Sequence, residues 1–358
     1  MLPPEWLAAA LEPPPAHGPP LGVGRIRVTP EDFQVDELLG FEPAGEGPHV
    51  MLKVRKSGAN TEWVARELAR RAGCRPFDVG FAGLKDRHAV TTQHFTVPRG
   101  RESPDVWHEA AGEGYQVLQA TAHNRKLPRG ALAGNRFDLW IRELRDHDGQ
   151  PVALDVLSAR LEAVRSRGVP NYFGPQRFGR DANNLRAVAA GQLPRDRSAR
   201  GYVLSAARSL IFNAILGERV RDGSWDQLLV GDAANLNGTG SVFHVAELDQ
   251  TLHDRVAALD LHASGPMSGA AARESAKILV SGEPAALEAS TAAQFAAAVQ
   301  LIEAADMQSE RRALRLVAAQ LEFEQAASGD VRLRFELPAG SFATTVLREV
   351  VAVNGQQD

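Results

Sequence analysis

The densest run of reactive side chains is Phe81-Ala82-Gly83-Leu84-Lys85-Asp86-Arg87-His88-Ala89-Val90-Thr91-Thr92-Gln93. Asp86 stands between Lys85 and Arg87, just after a glycine, Gly83, that permits a tight turn. Cations on both sides suit a carboxylate that works as an anion, so Asp86 is a candidate nucleophile. A K-D-R triplet taken alone is more often a surface turn with solvated charges. His88 and His94 follow Asp86 at even spacing, but they are too far apart in sequence for a local chelate, and no metal site is expected there. The glycines of 231–240 lack the Lys-Ser/Thr ending of a phosphate loop.

These residues need a frame to hold them. Arg25-Ile26-Arg27-Val28 and His49–Arg55 alternate polar and apolar residues and read as strands. Asn60, then Trp63, Val64, Leu68 and Ala72, then Gly73 predict a capped helix over about 61–72, with Arg66, Arg70 and Arg71 on its exposed face. Further strands are expected at Val90–Val97, Tyr115–Ala122 and Asn135–Leu144. A helix is expected at Asp155–Arg167 with Val156, Leu157, Leu161 and Val164 inward. From Gly168 the pattern becomes helix-rich: Leu204–Arg221, Ala292–Ala305 and Glu310–Ala318. Strand periodicity returns at Leu321–Glu324 and Val331–Leu337, followed by a helix over Ser341–Val351. The expected class is α+β with a mixed or antiparallel sheet. Residues 1–168 and 318–358 would form one domain, and residues 169–317 an inserted α-rich α/β domain.

Composition bounds the partners. The 358 residues carry 40 Lys/Arg and 44 Asp/Glu, a net charge of −4 that by itself argues against nucleic acid. The distribution reverses that inference, because residues 51–100 hold ten basic against four acidic residues and residues 151–200 nine against four. Lys53, Arg55, Lys56, Arg66, Arg70 and Arg71 in one block, and Arg177, Arg180, Arg186, Arg195, Arg197 and Arg200 in the other, are expected to line two walls of one cleft and grip phosphates. One cysteine, Cys74, excludes an intramolecular disulfide and suits a reducing compartment. The start lacks a basic n-region and an apolar h-region, and eighteen uninterrupted apolar residues occur nowhere, so a cytoplasmic protein without membrane attachment is expected. Seven of the 21 prolines fall in the first 20 residues and predict an extended lead-in on a surface.

Five separated motifs occur in order: Pro30-Glu31-Asp32-Phe33-Gln34-Val35-Asp36-Glu37, Gly83-Leu84-Lys85-Asp86-Arg87-His88-Ala89-Val90-Thr91-Thr92-Gln93, Gly134-Asn135-Arg136-Phe137, Asn171-Tyr172-Phe173-Gly174-Pro175-Gln176-Arg177-Phe178-Gly179 and Phe342-Ala343-Thr344-Thr345. Together the chain resembles the TruD family of tRNA pseudouridine synthases over about residues 24–350. The resemblance implies a pseudouridine-synthase-like catalytic domain with an inserted TRUD domain that begins near N-Y-F-G and faces it across a cleft. It implies isomerisation of uridine 13 of tRNA, with Asp86 as nucleophile and Phe33, Asn135 and Phe342 as substrate contacts. Without it, Phe33, Phe137 and Phe342 would read as core residues and Asn135 as a hairpin turn.

The chemistry is consistent with that set. Making pseudouridine breaks the bond from ribose C1′ to uracil N1, turns the base and joins C5 to C1′, with no redox change or hydrolysis. A carboxylate suffices, attacking the sugar or taking a sugar proton, so no cofactor is needed. The base must leave the stack and find aromatic platforms, for which Phe33, Phe137 and Phe342 are candidates, and a donor–acceptor such as Asn135. Lys85, Arg87 and Arg27 are supporting candidates, Arg27 as a partner of Asp86, and Arg66, Arg70, Arg177 and Arg180 are candidate RNA-backbone contacts. The expected partner is tRNA, without an obligatory protein partner. Two alternatives stand beside it: a non-catalytic RNA-binding protein, and a nucleoside or glycoside hydrolase using Asp86 with a second carboxylate among Glu31, Asp32, Asp36 and Glu37.

Overall fold

A computed structural model gives the structure of the protein and describes residues 2–100, 103–108, 110–269, 280–305 and 307–354. Its strands run β1 Val23–Arg25, β2 Phe33–Leu38, β3 His49–Lys56, β4 Gly80–Phe81, β5 Val90–Pro98, β6 Ala111–Gly112, β7 Tyr115–His123, β8 Gly134–Arg145 and β9 Val169–Pro170. They continue with β10 Ala233–Leu236, β11 Val242–His244, β12 Leu261–Met267, β13 Glu310–Ala313, β14 Arg315–Leu316, β15 Ala319–Gln325, β16 Val331–Pro338 and β17 Ala352–Asn354. Helices are α1 Pro4–Leu11, α2 Thr61–Ala72, α3 Leu154–Arg167, α4 Asn183–Ala189, α5 Arg197–Arg221, α6 Gln250–Ala257, α7 Gly282–Ala293, α8 Ala296–Ala304 and α9 Ala343–Leu347.

Contacts divide the chain into two compact units. One contains Leu21–Leu157, Ala319–Ser341 and Val351–Asp358, and the other Met1–Pro20, Ser158–Ala318 and Phe342–Val350. The first is built on an 11-stranded sheet whose main path is β15-β16-β8-β2-β5-β3-β7-β6. It is mixed: β2 pairs with β5 in parallel, whereas β3–β5, β2–β8 and β8–β16 are antiparallel. Alternation along these strands buries one face, and α2 lays Val64, Ala65, Leu68 and Ala69 into a core with Leu52, Val54, Phe95 and Val97. Gly73 ends α2 in the left-handed conformation, its N–H bonded to the Ala69 and Arg70 carbonyls, while the side chain of Asn60 makes no capping bond. The α+β class with a mixed sheet is therefore what the structure shows.

The second unit packs around α5, whose Leu210, Ile211, Phe212, Ile215 and Leu216 are buried on all sides by α1, α4, α8 and the sheet β11-β10-β12-β13. The proline-rich start is not an extended lead-in. Pro4 opens α1, and Trp6 and Ala10 belong to this core. The helix expected at Glu310–Ala318 is replaced by β13 and β14, because pairing with β12 and β9 holds Arg311, Arg312 and Arg315 among acceptors. The Ala292–Ala305 helix is two helices that break at Gln294-Phe295, and that at Ser341–Val351 shortens to α9. In α3, Leu157, Leu161 and Val164 are buried but Val156 is exposed. No helix among the described residues is long and apolar enough to cross a membrane.

Candidate active site

Five neighbouring strands of the sheet unit set out the site. The register places Lys56 beside Thr91, Thr91 beside Val35, Val35 beside Phe137 and Phe137 beside Phe335, so these side chains form one row across β3, β5, β2, β8 and β16. Glu37 and Asn135 face each other one step along, and Phe33 and Leu139 one step the other way. Gly134 is required where β8 meets β16, since a Cβ there would lie 2.3 Å from the Leu337 carbonyl oxygen.

The segment carrying Asp86 lies between β4 and β5 and is held from both sides. Gln93 Nε2 donates to the Gly83 carbonyl at 2.6 Å, Thr61 Oγ1 donates to Gln93 Oε1 at 2.9 Å, and the Lys85 N–H donates to Thr61 Oγ1 at 3.0 Å. Lys56, nearly inaccessible, donates from Nζ to the carbonyls of Ala59 (3.0 Å), Lys85 (3.2 Å) and Asp86 (2.7 Å). Burial draws the Lys56 ammonium down to about 8, opposed by the Asp86 charge and assisted by Lys85. Lys56 therefore stands away from the RNA-gripping role expected of it: it secures the Asp86 backbone. Gly83 does not take a left-handed backbone, and its carbonyl accepts from Gln93 Nε2.

Asp86 keeps 23% of its side chain accessible. Its Oδ1 accepts the His88 N–H at 2.9 Å, and its Oδ2 meets Arg27 Nη2 at 2.5 Å. The strand expected over Arg25–Val28 stops at Arg25, because Arg27 takes a left-handed φ of 57°. That turn leads into Thr29–Asp32, where Thr29 N–H donates to Asp32 Oδ2 at 3.0 Å. It carries the Arg27 guanidinium over the Phe33 ring, 4.2 Å from its centroid, and onto Asp86. Phe33 in turn meets Phe137 edge-on at 6.4 Å, and Phe137 stacks on Phe335 at 5.4 Å. Phe33 and Phe137 are buried, whereas Asn135 is half-buried with an Oδ1 that accepts no hydrogen bond among the described residues.

Lys85 points away from Asp86, with Nζ 2.9 Å from Glu37 Oε2, while His94 Nδ1 and N–H approach Glu37 Oε1 at 3.3 and 3.0 Å. Burial pushes the Glu37 carboxyl up, but its His94 and Lys85 partners outweigh that, and the net shift is downward. Asp32 is paired with Arg142 at 2.6 Å, Glu31 is exposed, and Asp36 alternates to the opposite sheet face from Glu37. Asp32 and Glu37 are thus spent on ion pairs, and Asp36 faces away from Glu37. Arg87 Nε donates to the Gly58 carbonyl at 3.0 Å, and Arg66 and Arg70 project from α2. Phe342, Arg177 and Arg180 belong to the helical unit, Phe342 preceding α9, Arg177 half-buried and Arg180 exposed. Sequence reasoning missed Thr61 and Gln93. The signal for Lys56 was present, since it shares the buried phase of Val54 and Leu52 along β3.

The sequence profile of tRNA pseudouridine synthase D (TruD) matches residues 17–199 and 187–350. The chain is 47% identical over 348 residues to tRNA pseudouridine synthase D of Methylococcus capsulatus, covering 96% of this chain and 95% of that protein. It is 44% identical over 339 residues to the protein of the same name from Nitrosococcus oceani, covering 93% and 92%. The crystal structure of a putative tRNA pseudouridine synthase D from Methanosarcina mazei superposes with a TM-score of 0.74 at 19% identity, covering 98% of both chains, and shares the fold. Motif order, profile match and identity over nearly the full length agree, and the chain belongs to the tRNA pseudouridine synthase D (TruD) family.

Proposed function

We propose that the protein isomerises uridine 13 of tRNA to pseudouridine, with Asp86 as the nucleophile, residues 1–168 and 318–358 as the catalytic domain and residues 169–317 as the inserted domain. The observation that carries this reading is the Arg27–Asp86 pair at 2.5 Å, set on the Phe33 ring with the Asp86 side chain partly accessible. Arg27 holds one carboxylate oxygen and the His88 N–H the other, which fixes the carboxylate while leaving lone pairs for a sugar. In the reaction the C1′–N1 bond breaks, C5 bonds to C1′, C5 loses its proton and N1 gains one, so atoms balance without water or a redox partner.

The extruded uracil presents two carbonyl oxygens and an N–H, and Asn135, whose Oδ1 has no donor among the described residues, matches that edge. Phe33 and Phe137 supply the apolar floor, and the F-A-T motif assigns Phe342 a substrate contact as well. Arg66, Arg70, Arg177 and Arg180 act on the RNA backbone. The experiment is incubation with unmodified tRNA transcripts followed by position-by-position mapping of pseudouridine, beside Asp86→Asn. Product at position 13 from the wild type, and none from a variant that still binds tRNA, is expected. Substantial product from Asp86→Asn, or release of free uracil, sinks the assignment.

A further inference from the structure

Among the described residues, two arginines of the helical unit share an aromatic ring and have no carboxylate partner. Arg177, from the N-Y-F-G-P-Q-R-F-G run, and Arg312, from β13, both stand over the Phe173 ring, their guanidinium carbons 5.1 and 4.3 Å from its centroid. Arg312 also lies 5.7 Å from the Phe212 centroid. Arg177 Nη1 donates to Ser205 Oγ at 3.0 Å and Arg312 Nη2 to Asn171 Oδ1 at 2.5 Å, one neutral acceptor each. Among the described residues neither has a carboxylate within ion-pair distance. Other buried arginines of the same unit are provided for. Arg219 is clasped by Asp232 at 2.9 Å, Arg311 by Glu288 at 2.8 Å, and Arg315 by His262 and three backbone carbonyls.

The platform under the pair is rigid. The Phe173 N–H donates to Asn213 Oδ1 at 2.9 Å, and Asn213 Nδ2 returns a bond to the Phe173 carbonyl at 3.0 Å, tying the ring to α5. Asn171 Nδ2 donates to the Ala313 carbonyl at 2.9 Å, which fixes the oxygen that orients Arg312. Burial draws the Arg312 guanidinium down to about 10, and the neighbouring Arg177 charge adds to that. Two like charges beside one ring, near enough that the Arg177 charge acts on Arg312, lack a carboxylate counter-ion among the described residues, and both remain partly accessible to one.

We propose that Arg177 and Arg312 form a phosphate-binding pair that takes one phosphodiester of the RNA substrate. The proposal rests on the tRNA reading above. Planar guanidinium forks on a fixed aromatic face are suited to two oxygens of one phosphate, and the exposed Arg180 and Arg186 follow on the same stretch of chain.

The test measures tRNA affinity against salt for the wild type, Arg177→Gln, Arg312→Gln and the double variant, with melting of each followed in inorganic phosphate at constant ionic strength. Each single variant is expected to bind about tenfold more weakly at low salt and to lose about one from the log–log salt slope. The double variant loses little more, because one phosphate is shared. Inorganic phosphate should raise the melting temperature of the wild type and not of the variants. If Arg312→Gln does not fold, Arg312→Met, which removes the charge and keeps an apolar side chain beside the Phe173 ring, carries the same measurement. Wild-type slopes in the single variants overturn the pair, and a phosphate-dependent melting shift with an unchanged tRNA slope overturns its assignment to RNA. A wild type that neither binds tRNA nor makes pseudouridine refutes the underlying reading instead.

Discussion

Arg27 occupies a left-handed backbone conformation that costs a non-glycine residue about 1 kcal/mol or more, and its guanidinium is anchored between Phe33 and Asp86. Beneath the same aspartate, Lys56 spends its three N–H groups on three carbonyls. Shedding a proton leaves two donors for three acceptors, so kcat is expected to fall as pH rises through about 8, roughly tenfold by one unit above it. Folding stability moves the other way. Between about 8 and the ordinary lysine value of 10.5 the unfolded chain holds a proton that the folded protein has released, so the contribution of Lys56 to stability is lowest below that window and grows across it. Parallel pH–rate and pH–melting curves check this; a rate limb near 8 that tracks a loss of folding would refute the positioning role.

At the scale of elements, what matters is strand register. A slip of one residue in β8 would turn Asn135 and Phe137 off the site face together and bring Arg136 and Asp138 in their place. Gly134 guards that register through its close approach to β16. Gly134→Ala is expected to cost about 1–3 kcal/mol, measured by urea unfolding, and to lower activity because the two strands must part where Asn135 sits. The long strands and α2 were legible from period-two and period-3.6 patterns, since each has one buried face. Glu310–Ala318 misled because its backbone is paired with β12 and β9, strands distant in sequence, and a single chain does not display its pairing partners.

At the scale of the molecule, the chain passes back and forth between its units, and its ends contribute to both. Trp6 of α1 reaches the helical core, its ring 5.8 Å from that of Phe295. Trp6→Ala should therefore destabilise the helical unit by about 3–5 kcal/mol, read from thermal unfolding; a melting curve like that of the wild type would mean that α1 is dispensable.

The sequence by itself determined the α+β class, the family and the order of the motifs, because periodicity and motif spacing are written along the chain. Proximity is not. That Arg27 meets Asp86, that Lys56 turns inward to hold that segment's carbonyls, and that Lys85 pairs with Glu37 were decided only by the tertiary structure. Each joins residues distant in sequence through a strand register or a backbone turn, and burial then sets which charges are satisfied inside the protein and which are left to meet a ligand.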